Sequence, residues 1–413
     1  IGKEVWKRVN EIREIEVDLD FDHPLLYPIN GFVEMLLDAH RAREGRNPGI
    51  IAVVAEEETL AEVTENRNLA AKLSEIPGMT GALMAPHELE LKNGRVCHEG
   101  KPVSLLFLDF NTDTLLSLHR KQDLSPLLTA VREGRVINPR GTGPINVKSA
   151  FELITGPYGD RFHPETVSRT PGTRNLYPRQ TTGPKGEAID DLIEWTRKHW
   201  DRLVLKPERG YSGKGVRVGG IHGNIEETIE IALNAGDYIV QEKIPLHLWG
   251  EDNPVLDRER KEVSLARFQT DFRCLFGQER IFGFLVRFGG IPTNVGSGGG
   301  VQPLALLRSE MTVRDAVDRI NEAILSIGYG ELLEIVQMQE KMAFDHRFTY
   351  LLGPIKMALR PRVIRPGHID VLSAYCRAVW SDCLTLEKMW LSGEIDSFVN
   401  IEEEELRIAR SQI

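Results

Sequence analysis

The chain has 413 residues, with 51 Lys and Arg, 61 Asp and Glu, and a formal net charge of −10. Hydrophobic residues make up 41% and charged residues 27%, which is typical of a soluble globular protein and excludes disorder of the whole chain. The acidic balance argues against a nucleic-acid-coating protein, because such proteins present a basic face to the phosphates.

The sequence also argues against two further classes of protein. No apolar run reaches the roughly 18–20 residues that a membrane helix needs, so we expect no membrane partner. The four cysteines are widely spaced and form no CxxC pair, which argues against a disulfide framework or a cysteine zinc site. Both observations favour a cytoplasmic protein.

The first 48 residues contain an unusual acidic strand pattern. Residues 16–22 alternate strictly between acidic and apolar side chains, which predicts a strand with Asp18, Asp20 and Asp22 on one face. That face is either a set of metal ligands or a solvated sheet edge protected by charge.

Residues 49–130 alternate between strand and helix patterns. Segments 49–55 and 103–108 are nearly all apolar, as in strands that are buried on both faces of a parallel sheet. Asn93 and Gly94 predict a turn after a short strand. We therefore expect a small, doubly wound α/β domain.

Residues 140–183 are rich in Gly, Pro, Thr and Arg and look loop-dominated, and a helix is predicted over 187–200. The strongest local signal comes next, in residues 203–216, LVLKPERGYSGKGV. A buried strand ends at Lys206, where a fixed positive charge suits a phosphate. Gly210, Gly213 and Gly215 allow positive φ and let backbone amides approach an anion closely. This is not a Walker A loop, because no Ser or Thr follows its second lysine and a strand replaces the helix.

Three later segments carry chemistry of the same kind. The run 238–244, YIVQEKI, is a buried strand with a polar end, similar to an adenine-binding hinge. Asp271 and Arg273 alternate on one strand face, an arrangement suited to metal and phosphate contacts. Arg287 and Asn294 precede a second glycine-rich loop.

The motifs LVLKPERGYSGKGV, YIVQEKI, TDFRCLFG and VRFGGIPTNVGSGGG make residues 140–305 resemble the ATP-grasp superfamily. An acidic strand at the start and an α/β unit before the lysine segment are similar to its circularly permuted members. These include eukaryotic-type glutathione synthetase and the glutathionylspermidine-synthetase-like proteins. The fold class that the resemblance implies is α/β and α+β, an ATP-grasp fold that grips ATP between two antiparallel sheets.

The resemblance also implies a division into four parts. Residues 1–48 would complete the ATP-grasp sheet, and residues 49–138 would form the α/β substrate domain. Residues 139–308 would form the ATP-grasp subdomains with their glycine-rich lid. Residues 309–413 would form a helical C-terminal extension.

Carried over residue by residue, the resemblance implies ATP and Mg²⁺ as cofactors. Lys148 and Lys206 would bind the ATP phosphates. The lid over the phosphates would be Gly210, Ser212, Gly213 and Gly215. The adenine would be held by Gln241, Glu242 and Ile244.

The remaining roles concern the metal and the transferred group. The metal ligands would be Asp20, Asp22, Glu208 and Asp271. The phosphoryl group and the acyl phosphate would be contacted by the catalytic residues Arg273, Arg287 and Asn294.

The function that the resemblance implies is an ATP-dependent carboxylate–amine ligase that works through an acyl phosphate and releases ADP and phosphate. Its partners would be a small-molecule carboxylate and an amine, and ligases of this kind are often homodimers. Two alternatives stay open, namely a small-molecule kinase or phosphotransferase of the same fold and a non-catalytic nucleotide-binding protein.

Overall fold

The computed structural model describes residues 1–61, 63–210, 213–221, 223–245, 250–290, 293, 295, 298–350, 353–399 and 401–411. Helices occur in every part of the described chain. They are α1 Gly2–Arg13, α2 Pro28–Glu44, α3 Thr64–Ser74, α4 Thr112–His119, α5 Ser125–Arg132, α6 Ala150–Thr155, α7 Pro164–Arg169, α8 Leu192–Lys198, α9 Ile225–Ala235, α10 Val313–Leu325, α11 Tyr329–Asp345, α12 Pro366–Leu391 and α13 Glu403–Arg410.

The strands fall into several sheets. They are β1 Leu19–Asp20, β2 Gly49–Val54, β3 Met79–Met84, β4 Leu89–Lys92, β5 Arg95–His98, β6 Lys101–Leu108, β7 Thr173–Asn175, β8 Thr181–Thr182, β9 Ala188–Ile189, β10 Leu203–Pro207, β11 Arg217–Val218, β12 Tyr238–Glu242, β13 Glu251–Asp257, β14 Glu262–Gly277, β15 Arg280–Gly289, β16 Gly300–Gln302, β17 Leu304–Leu307, β18 Thr349–Tyr350, β19 Gly353–Pro354 and β20 Arg362–Ile364.

The chain divides into two units whose bounds differ from the predicted four parts. The first unit is Ile1–Pro28 with Val147–Thr385, and the second is Ile29–Asn146 with Leu386–Ile413. The predicted N-terminal and C-terminal parts are therefore each shared between the two units. The mixture of α/β and α+β architecture is confirmed.

The second unit is built on a five-stranded sheet in the order β3-β2-β6-β5-β4. The apolar strand β2 pairs in parallel with β3 and with β6, as its composition predicts. Side chains from α2 and α3 cover one face, and side chains from α4 and α5 cover the other. The predicted turn is confirmed, since Asn93 and Gly94 have φ of 52° and 75° and join β4 to β5.

The first unit contains two four-stranded antiparallel sheets, in the orders β11-β10-β12-β7 and β13-β14-β15-β16. A three-stranded sheet, β1-β17-β20, carries the acidic segment at its edge. Only Leu19 and Asp20 of the predicted acidic strand are strand, paired with Leu307 and Leu306 of β17.

Two segments of the first unit differ from their predicted structure. The segment 140–183 contains α6, α7, β7 and part of a hairpin rather than loop alone. The C-terminal region is not wholly helical, since β20 pairs in parallel with β17. None of the helices in the described part of the chain combines the length and the hydropathy of a membrane-spanning segment.

A buried ion pair fastens β13 to the segment before β20. Arg360 has no exposed surface, and its Nη2 lies 2.6 Å from Glu251 Oε2. Arg362 Nη1 lies 2.6 Å from the other oxygen of Glu251. Burial lowers the pKa of the Arg360 guanidinium, and the charge of Glu251 offsets part of this effect.

Replacing Glu251 should therefore unfold this part of the chain more easily. We expect Glu251→Ala to lower the free energy of unfolding by about 3–5 kcal/mol, because Arg360 would be left buried without a counter-charge. Urea denaturation followed by circular dichroism measures the change. Glu340→Ala is the control, since its ion pair with Arg258 is exposed and should contribute no more than about 1 kcal/mol.

Candidate functional site

The sheet β11-β10-β12-β7 packs one face on helices and carries Lys206 and Gln241 on the other. Leu203 and Leu205 of β10 and Val240 of β12 pack with α8 and α9. The register pairs Val204 with Gln241 and Lys206 with Ile239. Since side chains alternate along a strand, Lys206 and Gln241 lie on the opposite face, together with the buried Val204 and Ile239.

A chain of hydrogen bonds crosses this second face from β10 to β7. Lys206 Nζ donates to Gln241 Oε1 at 2.6 Å, and Gln241 Nε2 donates to Thr173 Oγ1 at 2.8 Å. Gln241 and Thr173 are buried. The Gln241 amide is therefore hydrogen-bonded at both ends, to Lys206 and to Thr173, and its contact with adenine stays a prediction.

The other two residues predicted to hold adenine are Glu242 and Ile244, which are not members of the Lys206–Gln241–Thr173 chain. Glu242 Oε2 accepts from the backbone N–H of Gly172 at 2.8 Å, and Glu242 N donates to Gly172 O at 2.9 Å. Ile244 is exposed.

Lys148 holds the start of the glycine segment. Its Nζ donates to Pro207 O at 3.0 Å and to Gly210 O at 2.9 Å. Lys148 N also donates to Glu208 O at 3.3 Å. The two predicted phosphate-binding lysines thus come from distant parts of the chain to the same strand end.

Both lysines are partly buried, and their amines are partly removed from water. Burial lowers the pKa of Lys206, and the nearby charge of Lys148 lowers it further. Burial also lowers the pKa of Lys148, although Glu208 and Asp237 oppose the effect. Within the described residues, neither amine is hydrogen-bonded to a carboxylate. An anion placed between them would be favoured.

Glu208 is buried beneath this segment. Its Oε1 accepts a hydrogen bond from Ser149 Oγ, and its backbone N–H donates to Asp237 O at 2.6 Å. The predicted role of Glu208 was to bind metal. Here its carboxylate secures the start of α6 to the end of β10.

The glycines of the segment adopt the conformations that the sequence predicts. Gly210, Gly213 and Gly215 have φ of 123°, 73° and 72°. A Cβ at Gly215 would lie 2.7 Å from Pro207 Cγ and 2.9 Å from Tyr238 Oη. Ser212, and Asn294 of the later glycine-rich loop, lie outside the described residues.

A second cluster lies on the sheet β13-β14-β15-β16. Asp271 of β14 faces Arg287 of β15 in the antiparallel register. Arg273 Nε donates to Asp271 Oδ1 at 3.1 Å, Arg287 Nη2 donates to Asp271 Oδ2, and Thr293 Oγ1 donates to the same oxygen at 3.4 Å. Burial raises the pKa of Asp271, but the two arginines outweigh it and the net shift is downward.

The acidic segment forms a third cluster. Asp20 pairs with Arg308 at 2.7 Å, and Asp22 pairs with Lys3 at 2.6 Å. Asp20 Oδ1 also accepts from the backbone N–H of Asp22 at 2.7 Å, which contributes most to the lowered pKa of Asp20.

The predicted metal ligands are thus divided among three clusters, and each is already engaged by a cation or a hydroxyl. Over the residues that the structure describes, no group of three or more His, Cys, Asp and Glu side chains could hold a metal ion. Within the described residues these carboxylates therefore build no all-protein metal cage; Mg²⁺ bound with a nucleotide needs only one or two of them.

Sequence reasoning missed Thr173 and Ser149, which position Lys206 and Glu208. Thr173 lies in a three-residue strand inside a Gly-, Pro- and Arg-rich segment, where no alternation of apolar residues indicates a strand. Its β7 pairing with β12 could be found only from the tertiary structure.

No protein-family model matches the chain, and no curated protein matches it.

The conformation of Gly215 gives a stability test of the glycine segment. We expect Gly215→Ala to lower the free energy of unfolding by about 1–2 kcal/mol or more, because an L side chain at positive φ is strained and the new Cβ meets Pro207. Gly223→Ala is the matched control, since nothing lies within 4 Å of its Cβ position. Equal effects of the two substitutions on thermal unfolding would contradict the assigned conformation.

Proposed function

We propose that the protein is an ATP-dependent carboxylate–amine ligase. The observation that carries the proposal is the pair of desolvated lysine amines, Lys148 and Lys206, at the start of a glycine segment with positive φ. Desolvated cations that lack a carboxylate partner favour a polyanion, and the triphosphate of ATP is such a ligand. The resemblance of the surrounding motifs to ATP-grasp enzymes supports the choice of ATP over other polyanions.

Each lysine has a distinct part in the proposed site. Lys206 is fixed by Gln241 on a rigid strand, so its charge costs little reorganisation when a phosphate binds. Lys148 shields the backbone oxygens of Pro207 and Gly210, which would otherwise repel a phosphate. Phosphate binding is expected to draw Lys148 toward the anion and to release the glycine segment.

The arginines of the second cluster supply charge for the chemical step. In that step an oxygen of the substrate carboxylate attacks the γ-phosphorus of ATP, the bond to the β,γ-bridging oxygen breaks, and an acyl phosphate and ADP are formed. The substrate amine then attacks the acyl carbon, phosphate leaves, and the amine loses one proton. Arg273 and Arg287 would neutralise the phosphoryl oxygens, with Asp271 holding both guanidinium groups in place.

Magnesium has no protein-built site in this proposal. The carboxylates that the resemblance assigns to Mg²⁺ are paired with Lys3, Arg308, Ser149 and the two arginines and lie in three separate clusters. Mg²⁺ would therefore reach the protein as the counter-ion of the nucleotide. Positioning and charge neutralisation are the work of the lysines and arginines.

Nucleotide binding tests the role of Lys206. We expect Lys206→Ala to weaken ATP binding by about 10- to 100-fold in calorimetry, the loss of one charge-assisted hydrogen bond. Lys198→Ala is the control, because Lys198 is exposed on α8 of the same sheet-and-helix layer. Wild-type affinity in Lys206→Ala would refute the phosphate role.

The lowered lysine pKa values give the same site a pH signature. Only the ammonium form of Lys206 binds a phosphate, and its pKa lies below the ordinary 10.5. ATP affinity should therefore fall as pH rises through that depressed pKa, earlier than for an ordinary lysine. In Lys206→Arg this alkaline loss should be smaller, because arginine keeps its charge. An identical pH profile in both proteins would exclude Lys206 as the titrating group.

Trapping with hydroxylamine tests the reaction without knowledge of the amine. Hydroxylamine converts an acyl phosphate to a hydroxamate, so ATP-dependent hydroxamate formation from a panel of carboxylates would identify ligase chemistry. Arg287→Ala should reduce the rate by about 10²–10³-fold. ADP release with a stable phosphorylated product and no hydroxamate would indicate a kinase instead.

A further inference from the structure

A polar pocket of about 440 Å³ lies between α1, β1 and Arg308 in the first unit. Its charged lining is balanced, with three cations and three carboxylates. They are Lys3, Lys7, Arg308, Glu11, Asp20 and Asp22. A pocket with no net charge favours a ligand that has none either.

The ion pairs of this pocket leave one cation and one carboxylate able to bind a ligand. Lys7 makes no ion pair with any residue that the structure describes, so its ammonium group is available to an anion. Asp22 is paired with Lys3 but keeps 67% of its side chain exposed, so it can accept from a second cation. An anionic and a cationic group of one ligand could therefore both be satisfied here.

An apolar pocket of about 280 Å³ adjoins the polar one. Lys3 and Phe21 line both pockets, so the two pockets meet at these residues. The rest of the apolar lining includes Val301 and Met357. Since a dry cavity of about 150 Å³ can hold benzene, this volume suits a branched aliphatic or aromatic group.

We propose that the two adjoining pockets bind one free α-amino acid with an apolar side chain. Its carboxylate would pair with Lys7 and Arg308, its ammonium group would pair with Asp22, and its side chain would enter the apolar pocket past Phe21. A nucleotide or phosphate fits less well, because a lining with three cations and three carboxylates offers a polyanion no net positive charge. We infer further that this amino acid is a substrate of the ligase, and that part alone rests on the proposed function.

The wild-type protein tests the proposal without nucleotide. Calorimetry should show saturable binding of at least one of L-phenylalanine, L-leucine and L-methionine. For the amino acid that binds, the amide that lacks the carboxylate and the acid that lacks the ammonium group should each bind about tenfold more weakly or worse. L-Alanine should also bind more weakly, since it leaves the apolar pocket empty. Absence of binding by all three amino acids, or equal affinity of the deaminated acid, would overturn the proposal.

Lys7→Ala assigns the orientation of the ligand. This substitution should weaken binding of the amino acid and of its deaminated acid about tenfold and leave binding of the amide unchanged. Lys341→Ala is the control, because Lys341 is exposed on α11 and lines neither pocket. Equal weakening of all three ligands by Lys7→Ala would contradict the assigned carboxylate contact.

The two proposals can fail separately. Amino-acid binding without ATP binding would support the pockets and refute the ligase. ATP binding and hydroxamate formation without amino-acid binding would support the ligase and refute the pockets.

Discussion

The desolvation of Lys206 is the constraint on which the candidate site depends. A lysine amine that is removed from water at a strand end needs a neutral acceptor or an anion, and the sheet provides Gln241 as the acceptor. The hydrogen bond between Lys206 and Gln241 depends on the antiparallel register of β10 and β12. The pairing of β12 with β7 places Thr173 beside Gln241. The apolar opposite face, packed on α8 and α9, keeps this register from slipping.

The carboxylates of the first unit follow a consistent pattern. Asp20, Asp22, Glu208 and Asp271 each hold a cation or a hydroxyl in place, so their charge positions other groups. Asp271 is paired with both Arg273 and Arg287, and its charge offsets the repulsion between their like charges. In the described part of the chain, the amines of Lys148 and Lys206 are hydrogen-bonded to carbonyl and amide oxygens and not to a carboxylate, so this place favours an anion more.

The two proposed ligand sites in the first unit differ in their electrostatics. The lysine site concentrates positive charge in a desolvated place and suits a polyanion. The pockets beside α1 balance their charges and add an apolar wall, which suits a small zwitterion. A ligase that joins a carboxylate to an amine needs both kinds of site, one for the nucleotide and one for a substrate.

Sequence alone determined the buried strand that ends in Lys206, the glycines at positive φ, the Asn93-Gly94 turn and the mixed α/β character, because these depend on patterns of a few residues. Only the tertiary structure decided what each polar side chain contacts. Asp20 and Arg308 are 288 residues apart in the sequence, and Lys148 and Gly210 are 62 residues apart. Patterns of a few neighbouring residues cannot predict contacts over such separations. The division of the predicted metal ligands among three clusters follows from the same cause, since ion-pair partners are chosen by the packing of sheets and not by spacing along the chain.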